Sequence, residues 1–427
     1  MKIVLAAYGT RGDVEPSLAV GCELVRRGHD VLVAVPPDQI GFVESAGFTA
    51  VAYGPDSQTA LAKNAGANQS GESAHRPWQL KSLRKMYQDD WEFQERCRSE
   101  LGQVLMSVTE GADLLFHGQV FEDLADNVAE YYAIPMATLH YIPLRPNGNF
   151  LWFLPAPLSR VTMTAFWWIT SRVAGNAEKR QRRELGLPKD SRAATRRITE
   201  RGTLELQAYD EVCFPGLATE WARWKHQRPF VGTLTLEMST EADDEVASWI
   251  AAGTPPICFA FGSMALKSPA DTIAMISQTC AQLGERALVC AGSSGFSTDP
   301  HADHVKVVET MNYAASFPAC RAVVHHGGAG TMAAALRAGI PHLVLWSAPD
   351  RRMRGAMIAR LRVGISRRFS RLSHKTLVAD LRRILTPEYR DRAREVALRM
   401  QKPAEGAAAA ADAIEGLARS WCPGQVP

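Results

Sequence analysis

Short continuous apolar runs alternate with segments whose apolar residues recur every three or four positions, and the alternation occurs in two series along the chain. The first run, Ile3-Val4-Leu5-Ala6-Ala7, reads as a strand buried on both faces. A Gly-bracketed turn, Gly9-Thr10-Arg11-Gly12-Asp13, follows it. Leu18, Cys22 and Val25 then repeat at helical spacing, with Pro16 suited to a first helical turn and Gly28 placed to end the helix. Val31 to Val35 reads as the next buried strand. A right-handed crossover in this βαβ unit would set the turn at the carboxyl end of the sheet, where open α/β folds bind ligands.

Asp113 to His117 and Ile134 to Leu139 predict two more strands, the second closing the first sheet. Before them lie a Gly/Ala/Asn/Gln/Ser-rich stretch, Ser57 to Ser73, that reads as a long mobile loop, and a charged helical segment, Trp78 to Thr109. A new series begins with Pro256-Ile257-Cys258-Phe259-Ala260-Phe261, ending in Gly262-Ser263. It continues with Ala287 to Ala291, Val305 to Val308, Ala322 to His325 and His342 to Trp346, mostly separated by helical segments. Two strand–helix series in one chain predict an α/β protein of twin Rossmann-like domains. The expected boundaries are a first domain at 1–228, a linker at 229–238, a second domain at 239–403 and an Ala-rich terminal helix within 404–427.

Composition narrows the classes. With 427 residues, 46% of them hydrophobic, the chain is too long for one ordinary core and has the material for two. A formal net charge of +3 gives no basic stripe for nucleic acid. Eight scattered cysteines contain no C-x-x-C pair, which disfavours a zinc site or a disulfide framework and points to a reducing cytoplasm. The N-terminal apolar run is too short for a signal peptide, and no stretch reaches the roughly 20 apolar residues of a membrane span.

An aromatic-rich run (Phe150, Trp152, Phe153, Phe166, Trp167, Trp168) precedes a basic cluster (Arg180, Arg182, Arg183, Arg192, Arg196, Arg197). It reads either as helices walling a binding site with a solvated basic surface, or as a patch that sits on an anionic membrane or receives a lipid-linked substrate.

The strongest local signal is Val323-Val324-His325-His326-Gly327-Gly328-Ala329-Gly330-Thr331, followed by helical Met332 to Ala338. Side-chain-poor residues at a strand-to-helix turn expose main-chain N–H groups beside a positive helix end, a ready pyrophosphate site. A histidine at the rim adds a directed donor. The spacing is not that of a P-loop, and Gly9-Thr10-Arg11-Gly12 does not make the dinucleotide fingerprint.

Three stretches in order carry a family resemblance: Gly9-Thr10-Arg11-Gly12-Asp13-Val14-Glu15-Pro16, Phe261-Gly262-Ser263-Met264, and His325 to Thr331. From end to end the chain resembles the family-1 inverting glycosyltransferases of the GT-B fold, close to the antibiotic and glycopeptidolipid glycosyltransferases of actinobacteria. The resemblance implies two Rossmann-like domains facing across a cleft, with the terminal helix crossing back to the first. It implies that Asp13 takes the proton from the acceptor hydroxyl, and that Thr10, Arg11 and Ser263 line the donor phosphates. By the same resemblance His326 meets the pyrophosphate, Gly328, Ala329, Gly330 and Thr331 supply amide or hydroxyl donors, and Met311 packs near the nucleobase. The reaction it implies needs no metal and no cofactor, the nucleotide sugar being a co-substrate, and inverts the anomeric carbon.

Elementary chemistry agrees with those assignments. Inverting transfer needs one carboxylate at the acceptor hydroxyl and positive or N–H character at the leaving diphosphate. Asp13 is equally placed to cap a helix ahead of Pro16, and the two roles are compatible. One departure stands out. Where the family places an Asp-Gln pair for donor-sugar hydroxyls, this chain has Asp350-Arg351. Arginine accepts no hydrogen bond, so the donor sugar stays open.

The expected reaction moves a sugar, with a dTDP-deoxysugar such as dTDP-rhamnose ahead of UDP-glucose, to a hydroxyl of a lipid, peptide or small aglycone. The expected location is the cytoplasm, with peripheral contact at the inner face of the membrane. Rival readings are a nucleotide-sugar epimerase, a nicotinamide dehydrogenase and a non-catalytic donor-binding homologue.

Overall fold

The computed structural model describes all residues except 58–96, 152, 191, 263, 265, 267, 293, 299–301 and 422–427. The predicted loop from Ser57, the first part of the predicted helix from Trp78, and Ser263 therefore fall wholly or largely outside the described residues. The chain divides into two compact units, Met1–Leu234 with Pro403–Pro427, and Thr235–Lys402.

In the first unit six parallel strands are ordered β3-β2-β1-β4-β5-β6. They are β1 (Lys2–Ala6), β2 (Asp30–Val35), β3 (Ala50–Ala52), β4 (Leu114–Gly118), β5 (Met136–His140) and β6 (Leu204–Gln207). The second unit holds β7 (Ile257–Ala260), β8 (Ala287–Cys290), β9 (Val305–Val308), β10 (Ala322–His325), β11 (His342–Trp346) and β12 (Gly364–Arg368), ordered β12-β11-β10-β7-β8-β9. Numbered from its own first strand, the second sheet has the same order as the first, 3-2-1-4-5-6. That order is the doubly wound Rossmann arrangement, and each sheet has one switch point where successive crossovers diverge. In the first it lies between β1 and β4, in the second between β7 and β10.

The predicted strands are present, but β5 does not close the first sheet. β6 pairs outside it through Ala137, Thr138, Leu139 and His140. Its Leu-Glu-Leu-Gln sequence hides it, because Glu205 and Gln207 are fully buried. Glu205 accepts from Arg145 at 2.9 Å and Arg228 at 2.6 Å. Gln207 accepts from the Tyr209 hydroxyl at 2.6 Å.

The basic cluster also departs from a solvated surface. Arg182 and Arg197 are buried, with Arg197 bonded to Asp126 at 2.8 Å and Glu178 at 2.5 Å, and Arg182 to Glu130 at 2.8 Å. Their acidic partners Asp126 and Glu130 sit on one helix, Glu122–Tyr132, some 50 to 70 residues earlier in sequence. Removing one member would strand a buried charge, at about 3–5 kcal/mol. Arg180, Arg183, Arg192 and Arg196 remain exposed.

The terminal helix, Pro403–Ser420, packs on the first helix of the first unit, Arg11–Arg26. Just beyond that helix, Arg27 binds Asp412 at 2.6 Å and His29 meets Glu415 at 2.9 Å. A Cβ on Gly406 would stand 2.1 Å from the Val231 carbonyl oxygen, so only glycine lets the two backbones approach.

Candidate active site

In the second unit β10 runs into the turn His326-Gly327-Gly328 and then the helix Ala329–Ala338. Gly328 is the N-cap and offers no side-chain cap. A helix start leaves its first N–H groups without intrahelical partners, here those of Ala329, Gly330 and Thr331, beside the positive end of the dipole. Gly327 holds φ +91°, and Arg354 Nη1 donates to its carbonyl at 3.2 Å. The turn therefore has a fixed shape at the switch point of its sheet.

His326 is buried, its Nδ1 facing the Ala260 carbonyl at 3.4 Å. With the proton on Nδ1 the ring donates to that carbonyl; with it on Nε2 the ring presents a donor beside Gly328 instead. The ring lies between two glycines. A Cβ on Gly262 would stand 2.8 Å from its Cε1, and one on Gly328 2.7 Å from its Nε2. Gly262 also holds φ +56°.

Behind it, His325 Nδ1 accepts from the Gly327 N–H at 3.2 Å. Its Nε2 then carries the proton and donates to His342 Nδ1, also at 3.2 Å. Burial keeps both rings neutral, pushing His342 down to about 3 and His325 well below the usual range, where His342, His326 and Arg354 add to the effect. This pairing of neighbouring strands, which fixes the turn from below, was not read from the sequence. The adjacent His325-His326 was visible there, but the partner His342 lies on another strand.

Arg351 sits in the helix Pro349–Leu361, its Cβ 3.2 Å from where a Gly327 Cβ would be, and its Nη1 donates to Ser347 Oγ at 3.4 Å. Asp350 lies one residue earlier in the same helix. Met311, after β9, is buried in the core with Phe317 and Val308.

In the first unit Thr10, Arg11 and Asp13 share the switch point after β1. Thr10 is the helix N-cap and Asp13 the third helical residue of a capping box. Asp13 Oδ2 accepts from the Thr10 N–H at 2.9 Å and the Thr10 hydroxyl at 3.2 Å. The helix thus begins before Asp13, and Pro16 lies inside it rather than in its first turn. Gly9, at φ +145°, is required by the carboxylate: a Cβ there would fall 2.4 Å from Asp13 Oδ2. The Tyr141 hydroxyl donates to the Asp13 main-chain carbonyl at 2.5 Å. Arg11 is exposed, its Nε 3.0 Å from Glu15 and its guanidinium 4.4 Å above the Phe42 ring.

Next to this turn, His117 ends buried at the carboxyl end of β4. It donates from Nδ1 to the Gly118 carbonyl at 2.7 Å and accepts at Nε2 from Tyr53 at 2.9 Å. Burial pushes it down to about 4. Glu122, Arg145, His140 and Glu205 form a buried network that ties the segment after β5 to β6. Burial alone would raise Glu122, but Arg145 and His140 hold it below the carboxylate range. These groups were not read from the sequence either, since their partners are far apart in it.

No group of three or more His, Cys, Asp or Glu among the described residues is arranged to hold a metal ion. One switch point thus carries an uncapped helix start beside a glycine turn, and the other a positioned carboxylate. The chain is 54% identical over 422 residues to an uncharacterized glycosyltransferase of Mycobacterium tuberculosis, covering 98% of this chain and 99% of that one. It belongs to the family-1 glycosyltransferases of the GT-B fold. Residues 293–412, which include the His326-Gly327-Gly328 turn, match the family described as erythromycin biosynthesis protein CIII-like, C-terminal domain. The chain is 28% identical to a sterol 3-beta-glucosyltransferase of Arabidopsis thaliana, over 97% of this chain and 68% of that one. Its fold matches the glycosyltransferase VinC, solved in complex with dTDP, with a TM-score of 0.66 at 16% identity, covering 98% of this chain and 100% of that one. The protein is a nucleotide-sugar-dependent glycosyltransferase, taking a donor and an acceptor. Among the described residues no helix is long and apolar enough to cross a membrane.

Proposed function

We propose that this glycosyltransferase is inverting and metal-independent, and moves a deoxysugar from a dTDP donor such as dTDP-rhamnose to a hydroxyl of a lipid, peptide or small aglycone. The observation that carries the donor half is the N-terminus of the Ala329–Ala338 helix, which no side chain caps, with His326 locked beside it. N–H groups and a positive helix end stabilise the charge that develops on a departing diphosphate, a task that a metal ion performs in other transferases. Thr10, Arg11, Ser263 and Met311 complete the donor site in this reading, and Asp350 with Arg351 meets the sugar.

For the acceptor half, a single fixed carboxylate, Asp13, supports direct displacement. As the acceptor oxygen bonds to the anomeric carbon, its proton passes to Asp13, and the nucleoside diphosphate leaves from the opposite face. One displacement inverts the centre. The dTDP complex of a structural neighbour supports the thymidine nucleotide. UDP-glucose is the second reading, supported by the glucosyltransferase relative.

We place the reaction in the cytoplasm, with peripheral contact at the inner face of the membrane. The described cysteines, all free thiols, fit a reducing compartment. The test is a thermal-shift panel of dTDP- and UDP-sugars, since a ligand that binds only the native state raises its stability. Transfer with the preferred donor, in chelator, is then followed by NMR of the anomeric product. Retention of configuration, or a strict need for a divalent ion, would overturn the mechanism.

A further inference from the structure

We infer that the outward face of the long helix Ala156–Glu184 is a membrane-docking surface, built to lie on an anionic lipid interface. The inference rests on the acceptor being lipid-borne, one of the acceptor classes proposed above, and adds where and how the protein meets it. Leu158, Val161, Phe166, Trp168 and Ile169 are each more than half exposed, as is Phe153 just ahead of the helix. Large apolar side chains on a protein surface are ordinarily scattered singly, and a run of them on one element marks an interaction surface.

At about 100° per residue the five on the helix fall within roughly 160° of arc, so they share one face. Lys179, Arg180 and Arg183, all exposed, fall on that same face two to four turns further along. The opposite side faces protein: Ser159 Oγ donates to the Asn147 carbonyl at 2.8 Å, Glu178 pairs with Arg197, and Arg182 with Glu130. One face is thus apolar with an indole in its first half and cationic in its second.

That division matches a bilayer surface carrying anionic headgroups. Apolar and aromatic side chains enter the boundary between headgroups and acyl chains, while basic ones stay among phosphates. Three exposed cations beyond the apolar stretch are complementary in charge to anionic headgroups. The placement also serves the reaction. Trp167 Nε1 donates to the Leu144 carbonyl at 2.7 Å, fixing the helix to the segment that leaves the carboxyl end of β5. Asp13 belongs to the carboxyl end of the same sheet. The helix is thus tied to the end of the sheet that carries the carboxylate.

The probe is flotation of the full chain with vesicles of phosphatidylcholine alone and of phosphatidylcholine with phosphatidylglycerol. The wild type is expected to float with the anionic vesicles, less so in high salt, at roughly fivefold per basic side chain. Phe166→Ser with Trp168→Ser should abolish flotation on both. Lys179→Gln with Arg183→Gln should remove the preference for the anionic vesicles by at least tenfold. Circular dichroism and dTDP binding are read on the same samples. Wild type that stays in the aqueous fraction, or an apolar double variant that floats like wild type, overturns the inference. So does a concentration-dependent dimer that the apolar variant dissolves without any vesicle binding. Wild type that binds dTDP but does not float sinks this inference alone, and wild type that floats but does not bind dTDP sinks the donor-site reading instead.

Discussion

The Cβ that Gly328 lacks would stand 2.7 Å from His326 Nε2. Gly328 itself has φ −62° and ψ 141°, a conformation open to any residue, so alanine there collides with the histidine ring and meets Thr331 Oγ1 at an ordinary 3.7 Å. Gly328→Ala should therefore fold and act by displacing His326. Both Gly328→Ala and His326→Ala are expected to weaken binding of dTDP or UDP by about 1.5–3 kcal/mol, the worth of a hydrogen bond to a charged group. Because they remove the same contact, the double variant should bind no worse than the weaker single one. Calorimetry on the four proteins decides it, and additive losses would place the ring away from the phosphates.

The buried histidines predict an acid-sensitive fold. His117 is held down to about 4 and His342 to about 3, against about 6.5 in an unfolded chain. Below about pH 6.5 the unfolded state takes up protons that the native state refuses, so stability rises with pH in that window. The contribution is complete above about pH 6.5 and is lost as pH falls toward the folded values. The melting temperature should drop steadily from pH 7 to pH 5. Over the same range the ring NMR signals of His325 and His342 should stay those of neutral imidazole. Titration of either ring near pH 6.5 in the native protein would contradict the pairing.

What the sequence disclosed follows the reach of local pattern. β1, β2, β7 and β10 are continuous apolar runs next to glycine turns, so strand, turn and helix start are written in consecutive residues. β6 and β12 are not. Glu205 is buried because Arg145 and Arg228 come from elsewhere to neutralise it, and Arg367 in β12 is answered by Asp380. The same holds at the site. The glycine turn and His326 are local, whereas His342 behind His325 comes from the neighbouring strand and Tyr141 above Asp13 from just beyond β5, two strands away from β1. Arg182 and Arg197 looked like surface charge for the same reason.

We propose that Arg351 serves sugar recognition and not nucleotide recognition. It packs beside Gly327, and it cannot accept a hydrogen bond from a sugar hydroxyl. Arg351→Gln is expected to reorder kcat/KM among donor sugars by about fivefold, since one hydrogen bond is worth on the order of 1 kcal/mol, while leaving affinity for the free nucleotide within about twofold. Rates with dTDP- and UDP-sugars, beside calorimetry with dTDP and UDP, measure the two effects separately. Equal shifts for every sugar and for the bare nucleotide would move Arg351 out of the sugar site.

Asp13 tests whether the carboxylate is a base or only a cap. Its Oδ2 accepts from Thr10, which fixes the carboxylate at the start of the first helix, and Tyr141 holds the main chain of the same residue. A carboxylate has about four acceptor sites, so capping and proton abstraction are compatible. Asn keeps the size and an oxygen for the cap but has no basicity. Asp13→Asn should therefore keep its melting temperature and its dTDP affinity, and lose roughly 10²–10⁴-fold in kcat, the usual share of general-base catalysis. Asp13→Ala should lose the same turnover and, in addition, about 1 kcal/mol of stability from the missing cap. Tyr141→Phe leaves the carboxylate in place but releases its backbone, so kcat should fall far less than in Asp13→Asn, with KM for the donor unchanged. Transfer rate, melting temperature and dTDP affinity on all three variants separate the roles. Full turnover in folded Asp13→Asn would leave Asp13 a helix cap and nothing more.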